Sequence, residues 1–285
     1  MAKNIYVIGG SKHIGYHASV RLLAAGCNVV FLLRNPTAFD NDTTIREHIK
    51  NGKAHLVKGD ALIKDNVQSG WDEAHKHGPI DTVLFTLGGT SGHLSLRLGI
   101  VPHPMDICTR ALLNLLTTYP TQQFPQPKLI LHTSIGLTKK GHAGVPLLLK
   151  PVYVWFLRGA HADKKASERL IAHCANNTWD VADAGEPTED FLPIGWKEIP
   201  GLPEQGTLKN FLIVRPALLT DGECLADKEQ KPGKDGKVKP AYRYSEEELG
   251  GYTISRRDVG HFDAEVILDS KRWEEVEGKT LNIGY

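Results

Sequence analysis

Residues 5–36 open with the apolar run Ile5-Tyr6-Val7-Ile8 and the turn Gly9-Gly10-Ser11-Lys12-His13-Ile14-Gly15. An amphipathic stretch follows, then a second apolar run ending in Leu33-Arg34-Asn35-Pro36. The pattern predicts a strand, a glycine turn, a helix and a second strand, the opening unit of a dinucleotide-binding fold. Gly9 and Gly10 let the chain turn sharply at the strand end because no Cβ stands in the way. The free N–H groups of the helix start, near Ile14 and Gly15, present the positive end of a dipole to a pyrophosphate. Gly15 lets that helix pack close to the strand. Gly9 and Gly15 fit a Gly-x-x-x-x-x-Gly spacing with Lys12 at the middle position. Arg34 ends the second strand, where an NAD site usually carries an acid for the ribose 2′-hydroxyl. A guanidinium suits a 2′-phosphate instead, and Lys12 and His13 add charge nearby. The expected cofactor is therefore NADP(H), with NAD(H) the poorer fit.

Outward from this unit, strand-like runs alternate with helical patterns, which predicts an α/β fold: a Rossmann-type doubly wound parallel sheet with a small C-terminal substrate-binding region. Strands are expected at 29–33, 55–57, 81–86, 128–134 and 210–214, and helices near 43–51, 66–76, 104–118 and 162–174. The whole chain, 1–285, reads as one domain, with substrate-side elements inserted or appended at about 135–160, 180–209 and 217–257. Ligands of open α/β sheets bind beyond the carboxyl ends of the strands. That rule selects Asp60 and Ala61 beside the adenine, Leu87, Gly88 and Gly89 for close backbone approach, and Thr133 and Ser134 at the nicotinamide end. Pro216 and Ala217 follow the sixth strand.

Composition narrows the function classes. A chain of 285 residues with 41% hydrophobic content can bury a large core, and a net charge of +1 gives no basic field for nucleic acid. Cys27, Cys108, Cys174 and Cys224 are scattered singly, as reduced thiols in a cytoplasmic protein would be. The core strand begins almost at Met1, so no signal peptide is expected, and the apolar stretch from Val145 to Leu157 is broken by Lys150 and Pro151 and too short to span a bilayer. Thirteen histidines show no tight ligand spacing, so no metal site is expected, and no Gly-x-Ser-x-Gly elbow is present. The expected partner is a small-molecule substrate; the sequence does not specify an oligomeric state.

Beyond the glycine turn, Leu33-Arg34-Asn35-Pro36, Lys58-Gly59-Asp60, Ile213-Val214-Arg215-Pro216 and Ile254-Ser255-Arg256-Arg257-Asp258-Val259-Gly260 carry a resemblance across most of the chain. It resembles the atypical short-chain dehydrogenase/reductases of the NmrA-like and isoflavone-reductase-like type. That resemblance implies an NADPH-dependent enzyme reducing a carbonyl or an activated double bond, here a small apolar carbonyl or enone. It equally implies an alternative, a noncatalytic NADP-binding redox-sensing regulator. The usual members pair a serine with Tyr-x-x-x-Lys, the lysine lowering the pKa of the tyrosine acid. Ser134 suits the serine, but the helix 159–168 contains no such pair. Lys164 followed by Glu168 resembles the Lys-x-x-x-Glu of atypical members and makes Lys164 the expected cofactor-side lysine. His161 with Lys165, one turn apart, is the competing pair, and Tyr153 stands eleven residues before Lys164. The proton donor is left open among Tyr153, His161 and water. Pro146–Leu157 is expected to wall an apolar site or to form a buried core helix. Trp179–Lys209 reads as a long inserted loop and Glu223–Glu248 as a solvated excursion.

Overall fold

Strand β1 (Asn4–Ile8) is buried along its full length and lies between two parallel neighbours, β2 (Asn28–Leu33) and β4 (Thr82–Phe85). The computed structural model describes residues 2–89, 92–96, 99–145, 147–150, 155–229 and 238–285. Between β1 and β2 runs α1 (His13–Ala24); α2 (Thr43–Lys50), β3 (Ala54–Lys58) and α3 (Lys64–His75) precede β4. A hairpin, β5 (Gly92–Ser95) and β6 (Gly99–Pro102), then leads into α4 (Ile107–Leu116) and β7 (Lys128–His132). Next come α5 (Lys139–Gly144), α6 (Arg158–Ala175), α7 (Val181–Ala184), β8 (Phe211–Pro216) and β9 (Leu218–Thr220). The chain closes with β10 (Arg243–Ser245), β11 (Thr253–Ser255), α8 (Arg256–Leu268), α9 (Ser270–Val276) and β12 (Thr280–Gly284). The main sheet has the order β10-β12-β8-β7-β4-β1-β2-β3, parallel except for β10. The chain moves outward from β1 to β3, returns to β4 and continues the other way. The reversal opens a crevice above the carboxyl ends of β1 and β4.

Alternation along the strands feeds two cores. Ile5 and Val7 pack on one face with residues of α1, α8 and α9, while Tyr6 and Ile8 pack on the other with residues of α3, α4 and α6. The 254–260 segment is structural in a way its sequence only hints at. Ser255 caps α8, its Oγ accepting from Asp258 N at 2.9 Å. The Asp258 carboxylate in turn accepts from Leu225 N at 3.0 Å, Ala226 N at 2.9 Å and the Tyr285 hydroxyl at 2.6 Å. Gly260 lies where α8 crosses α1, and a Cβ there would stand 2.8 Å from the Ala18 backbone nitrogen.

The expected fold class is present, with several differences in detail. Helix α6 begins at Arg158, earlier than the apolar periodicity indicates, and the β5–β6 hairpin, α9 and β12 were not anticipated. The Trp179–Lys209 loop is packed rather than loose: Phe191, Leu192 and Leu208 are buried, and the Arg169 guanidinium lies over the rings of Trp179 and Trp196. Of the 146–157 stretch, residues 146 and 151–154 lie outside the described residues; Leu147 and Leu148 are 77% and 81% exposed, while Leu157 packs against the core. The 223–248 excursion contributes β10 to the sheet edge. No helix among the described residues is long and apolar enough to cross a membrane.

The crossing at Gly260 sets two effects against each other. Helix propensity alone favours Gly260→Ala by about 1 kcal/mol. The 2.8 Å approach to backbone predicts the opposite sign, a destabilisation of about 1–3 kcal/mol, read as a lower urea midpoint. A raised midpoint would show that α1 and α8 can move apart freely.

Candidate cofactor and active site

The crevice above the strand ends is a cavity of about 930 Å³. Its floor is the glycine turn. Gly9 adopts φ +93°, and a Cβ there would lie 2.7 Å from Leu87 N. A Cβ on Gly10 would meet the side chains of Phe31 and Val7 at 2.7 Å. Gly15 does not line the cavity, and a Cβ on it would come within 2.4 Å of Thr86 Oγ1 and 2.7 Å of Gly9 O. Thr86 Oγ1 donates to Gly9 O at 3.1 Å, fastening the turn to the end of β4. Helix α1 starts without a side-chain cap and without an acid in its first turn, so its first N–H groups are available to an anion from the cavity. Lys12 and His13 stand at this helix start on the cavity wall.

Toward β2 and β3 the wall contains Arg34, Asp60 and Ala61. Arg34 is exposed and has no ion-pair partner among the described residues. One oxygen of Asp60 accepts from Leu62 N at 3.0 Å and so holds the turn rather than being wholly free for a base. Asn114 Nδ2 donates to Ala61 O at 2.9 Å and anchors the same turn to α4. Toward β4 and β7 the wall contains Leu87, Gly88, Gly89, Thr133, Lys164 and Pro216. Ser11 and Ile14 complete the predicted residues that line the cavity.

Lys164 is held by the ends of two strands. Its Nζ donates to Leu87 O at 2.8 Å and to His132 O at 2.7 Å, so the ammonium bridges β4 and β7 at the cavity wall. The neighbouring Asp163 is buried and accepts from Cys108 N and Thr109 N, both at 2.8 Å, which caps α4 and fixes α6 against it. One turn on, Glu168 does not pair with Lys164. It accepts from Thr133 Oγ1 at 2.6 Å and from Arg215 Nε at 2.9 Å and Nη2 at 2.5 Å. The Lys-x-x-x-Glu pattern thus supplies two separate anchors, Lys164 for the ends of β4 and β7 and Glu168 for the ends of β7 and β8. Burial pushes the Cys108 thiol up to about 12, which removes it as a nucleophile at neutral pH.

Not every predicted position lies on the cavity wall. Ser134, His161 and Ala217 do not line the cavity, and Ala217 packs into the core. His161 is also unsuited as an acid: burial pushes its imidazole down to about 4, leaving it neutral at neutral pH. Its proposed partner Lys165 donates to Ala184 O at 3.1 Å instead. Tyr153 lies outside the described residues. Sequence reasoning missed Thr86, His132 and Leu219, and above all Arg256, which reaches the cavity from the start of α8 while ion-paired to Asp221 at 2.8 Å. Burial and the Arg256 charge both push the His13 imidazole down. The only sequence signal for Arg256 was its place in the 254–260 segment. Thirteen histidines without ligand spacing also proved incomplete as a guide, because His55, Glu73 and His77 converge in space.

The His161 shift has a consequence for stability. Its folded value of about 4 lies below the ordinary 6.5, so on acidification the unfolded chain takes up this proton first. The stabilisation is complete above pH 6.5 and is lost as pH falls toward 4. His161→Phe is expected to flatten the loss of unfolding free energy across that window by about 2 kcal/mol. An unchanged slope in urea titrations would place a solvated, ordinary imidazole at this position.

No family model matches the chain. A reductase from Aspergillus terreus, pytE, is 30% identical over 282 residues, covering 92% of this chain and 90% of that protein. Among solved structures, an alcohol dehydrogenase from the archaeon Thermococcus sibiricus, complexed with 5-hydroxy-NADP, superposes with a TM-score of 0.59 at 14% identity, covering 99% of this chain and 96% of the other. The anaerobillin reductase ChuY from Escherichia coli O157:H7 gives 0.55 at 16% identity, covering 98% and 96%. The structural likenesses show the shared fold, and the pytE match extends along nearly the whole of both chains. On that likeness, the chain belongs to the short-chain dehydrogenase/reductase superfamily of NAD(P)-binding proteins.

Proposed function

We propose that this protein is an NADPH-dependent reductase acting on a small apolar carbonyl or enone. The observation that carries the cofactor choice is Arg34, exposed and with no ion-pair partner among the described residues, at the β2 end of a cavity floored by an uncapped helix start. The residues present fit a phosphorylated dinucleotide: the cradle at Gly9 and Gly10 has no room for a β-carbon, and Lys12, Arg34 and Arg256 place cationic groups around it. NADPH, when bound, supplies the hydride. The α1 N–H groups hold the pyrophosphate, and Arg34 takes the 2′-phosphate through its fork of donors.

At the other end of the cavity Lys164 has two donors fixed on backbone carbonyls, which holds its side chain on the cavity wall within reach of a ribose or substrate oxygen. The Glu168 carboxylate, locked by Thr133 and Arg215, keeps the ends of β7 and β8 in one geometry against which the substrate docks. With His161 neutral, the proton that completes carbonyl reduction comes from Tyr153 or from water. That the similar protein pytE is a reductase supports turnover over the binding-only regulator.

Two measurements test this reading. NADPH absorbance is expected to fall when the protein is mixed with a panel of aldehydes, ketones and enones. Tight NADPH binding with no consumption across the panel would favour the regulator. Arg34→Asp is expected to weaken NADPH binding by about 10–100-fold, the loss of a charge-assisted contact, while changing NADH affinity little. Equal weakening of both cofactors would remove the 2′-phosphate from Arg34.

A further inference from the structure

At the end of the sheet opposite the cofactor cavity, three potential ligands meet. His55 is the second residue of the edge strand β3, whose other end leads to Gly59 and Asp60. Glu73 lies in the last turn of α3, and His77 follows four residues later, just past the helix end. One ligand atom from each of the three lies within 4.8 Å of the other two. The His55 and His77 rings stack with centroids 3.5 Å apart and planes 18° from parallel. His77 Nε2 sits 3.2 Å from Glu73 Oε1. His55 Nε2 is buried with no hydrogen-bond partner, while the same ring bonds the Gly52 backbone.

We infer that His55, Glu73 and His77 form a binding site for one divalent cation of the zinc class, joining the edge strand β3 to the end of α3. Three features of the site support this assignment. The bond to Gly52 leaves the unpartnered Nε2 as the free nitrogen, and a backbone partner on the second nitrogen is the usual outer-shell arrangement of a metal-bound histidine. A buried nitrogen without a partner is uncommon unless something fills its place. Two imidazoles and one carboxylate make a borderline donor set that suits Zn²⁺; Ca²⁺ and Mg²⁺ require oxygen-rich sites.

The adjustment required is small. Tetrahedral zinc with bonds of about 2.0–2.1 Å sets its ligand atoms roughly 3.4 Å apart, so the cluster contracts by about an ångström and the two rings turn out of their stack. Lys76 holds Glu73 Oε2 at 2.8 Å, but its side chain is 67% exposed and can swing into solvent. Water takes the fourth position. The site is independent of the reductase reading, because none of its three residues lines the cofactor cavity.

Calorimetric titration of the full-length, chelator-treated protein with ZnCl₂, with and without NADP⁺, tests the assignment. The expected result is one equivalent bound with a dissociation constant on the order of micromolar and a raised Tm. His55→Asn and His77→Gln should each weaken that equivalent by at least about 30-fold, and Glu73→Gln by about 10-fold. Substitution with Co²⁺ should give the visible absorption of a tetrahedral site in the wild type and not in the histidine variants. Retained NADPH binding by the variants shows that they are folded. The inference is overturned if zinc does not bind below the millimolar range, or if both histidine variants keep the full equivalent, which would assign the metal to other histidines or the cysteines.

Discussion

The molecule is organised around the contact between the glycine turn and the end of β4, where the backbone runs too close for any β-carbon. Gly9 presses against Leu87 N, Gly15 against Thr86 Oγ1 and Gly9 O, and Thr86 closes the contact with a hydrogen bond to Gly9 O. That closeness sets the height of α1 above the sheet and leaves its first N–H groups facing the cavity. It also determines the position of α8, which crosses α1 at Gly260 and brings Arg256 to the cavity rim. Removing the space at the turn would therefore displace the helix start and the cationic rim together.

The opposite end of the cavity is built from charge rather than from missing atoms. Lys164 bridges the carbonyls of β4 and β7, Asp163 caps α4, and Glu168 joins Thr133 to Arg215 on β8. All three side chains come from one stretch of α6, so a single helix locks the carboxyl ends of three strands. Buried ion pairs of this kind add little net stability against an apolar replacement, but losing one partner is costly. Their value here lies in geometry. Strand ends that carry a reaction must hold their spacing while substrates come and go.

The parts legible in the sequence were local ones. The first strand, glycine turn, helix and second strand follow from periodicity and from glycine stereochemistry, and the strand-end rule then pointed to Asp60, Ala61, Leu87, Gly88, Gly89, Thr133 and Pro216, which line the cavity. Residues brought in from far along the chain were not legible. Arg256 reaches the cavity only because α8 packs on α1, and the Lys164–Glu168 spacing fits a surface pair as well as the half-buried and buried anchors that exist. The 179–209 segment looked like a loop because its buried residues, Phe191, Leu192 and Leu208, are too sparse to show a period. His55 and His77 are separated by a strand end and a helix, so their stacking has no sequence signature. His161 shows the reverse error. Its helix spacing to Lys165 was right, but burial removed the chemistry that the spacing suggested.

The most direct test of the central claim, that the glycine turn and Arg34 together form an NADP(H) site, is a crystal structure of the NADP⁺ complex. The pyrophosphate is expected within hydrogen-bond distance of the backbone N–H groups at the start of α1, with the 2′-phosphate on the Arg34 guanidinium and the nicotinamide toward Lys164. A dinucleotide bound with its phosphates away from the α1 start, or with the ribose 2′ position turned from Arg34, would contradict it.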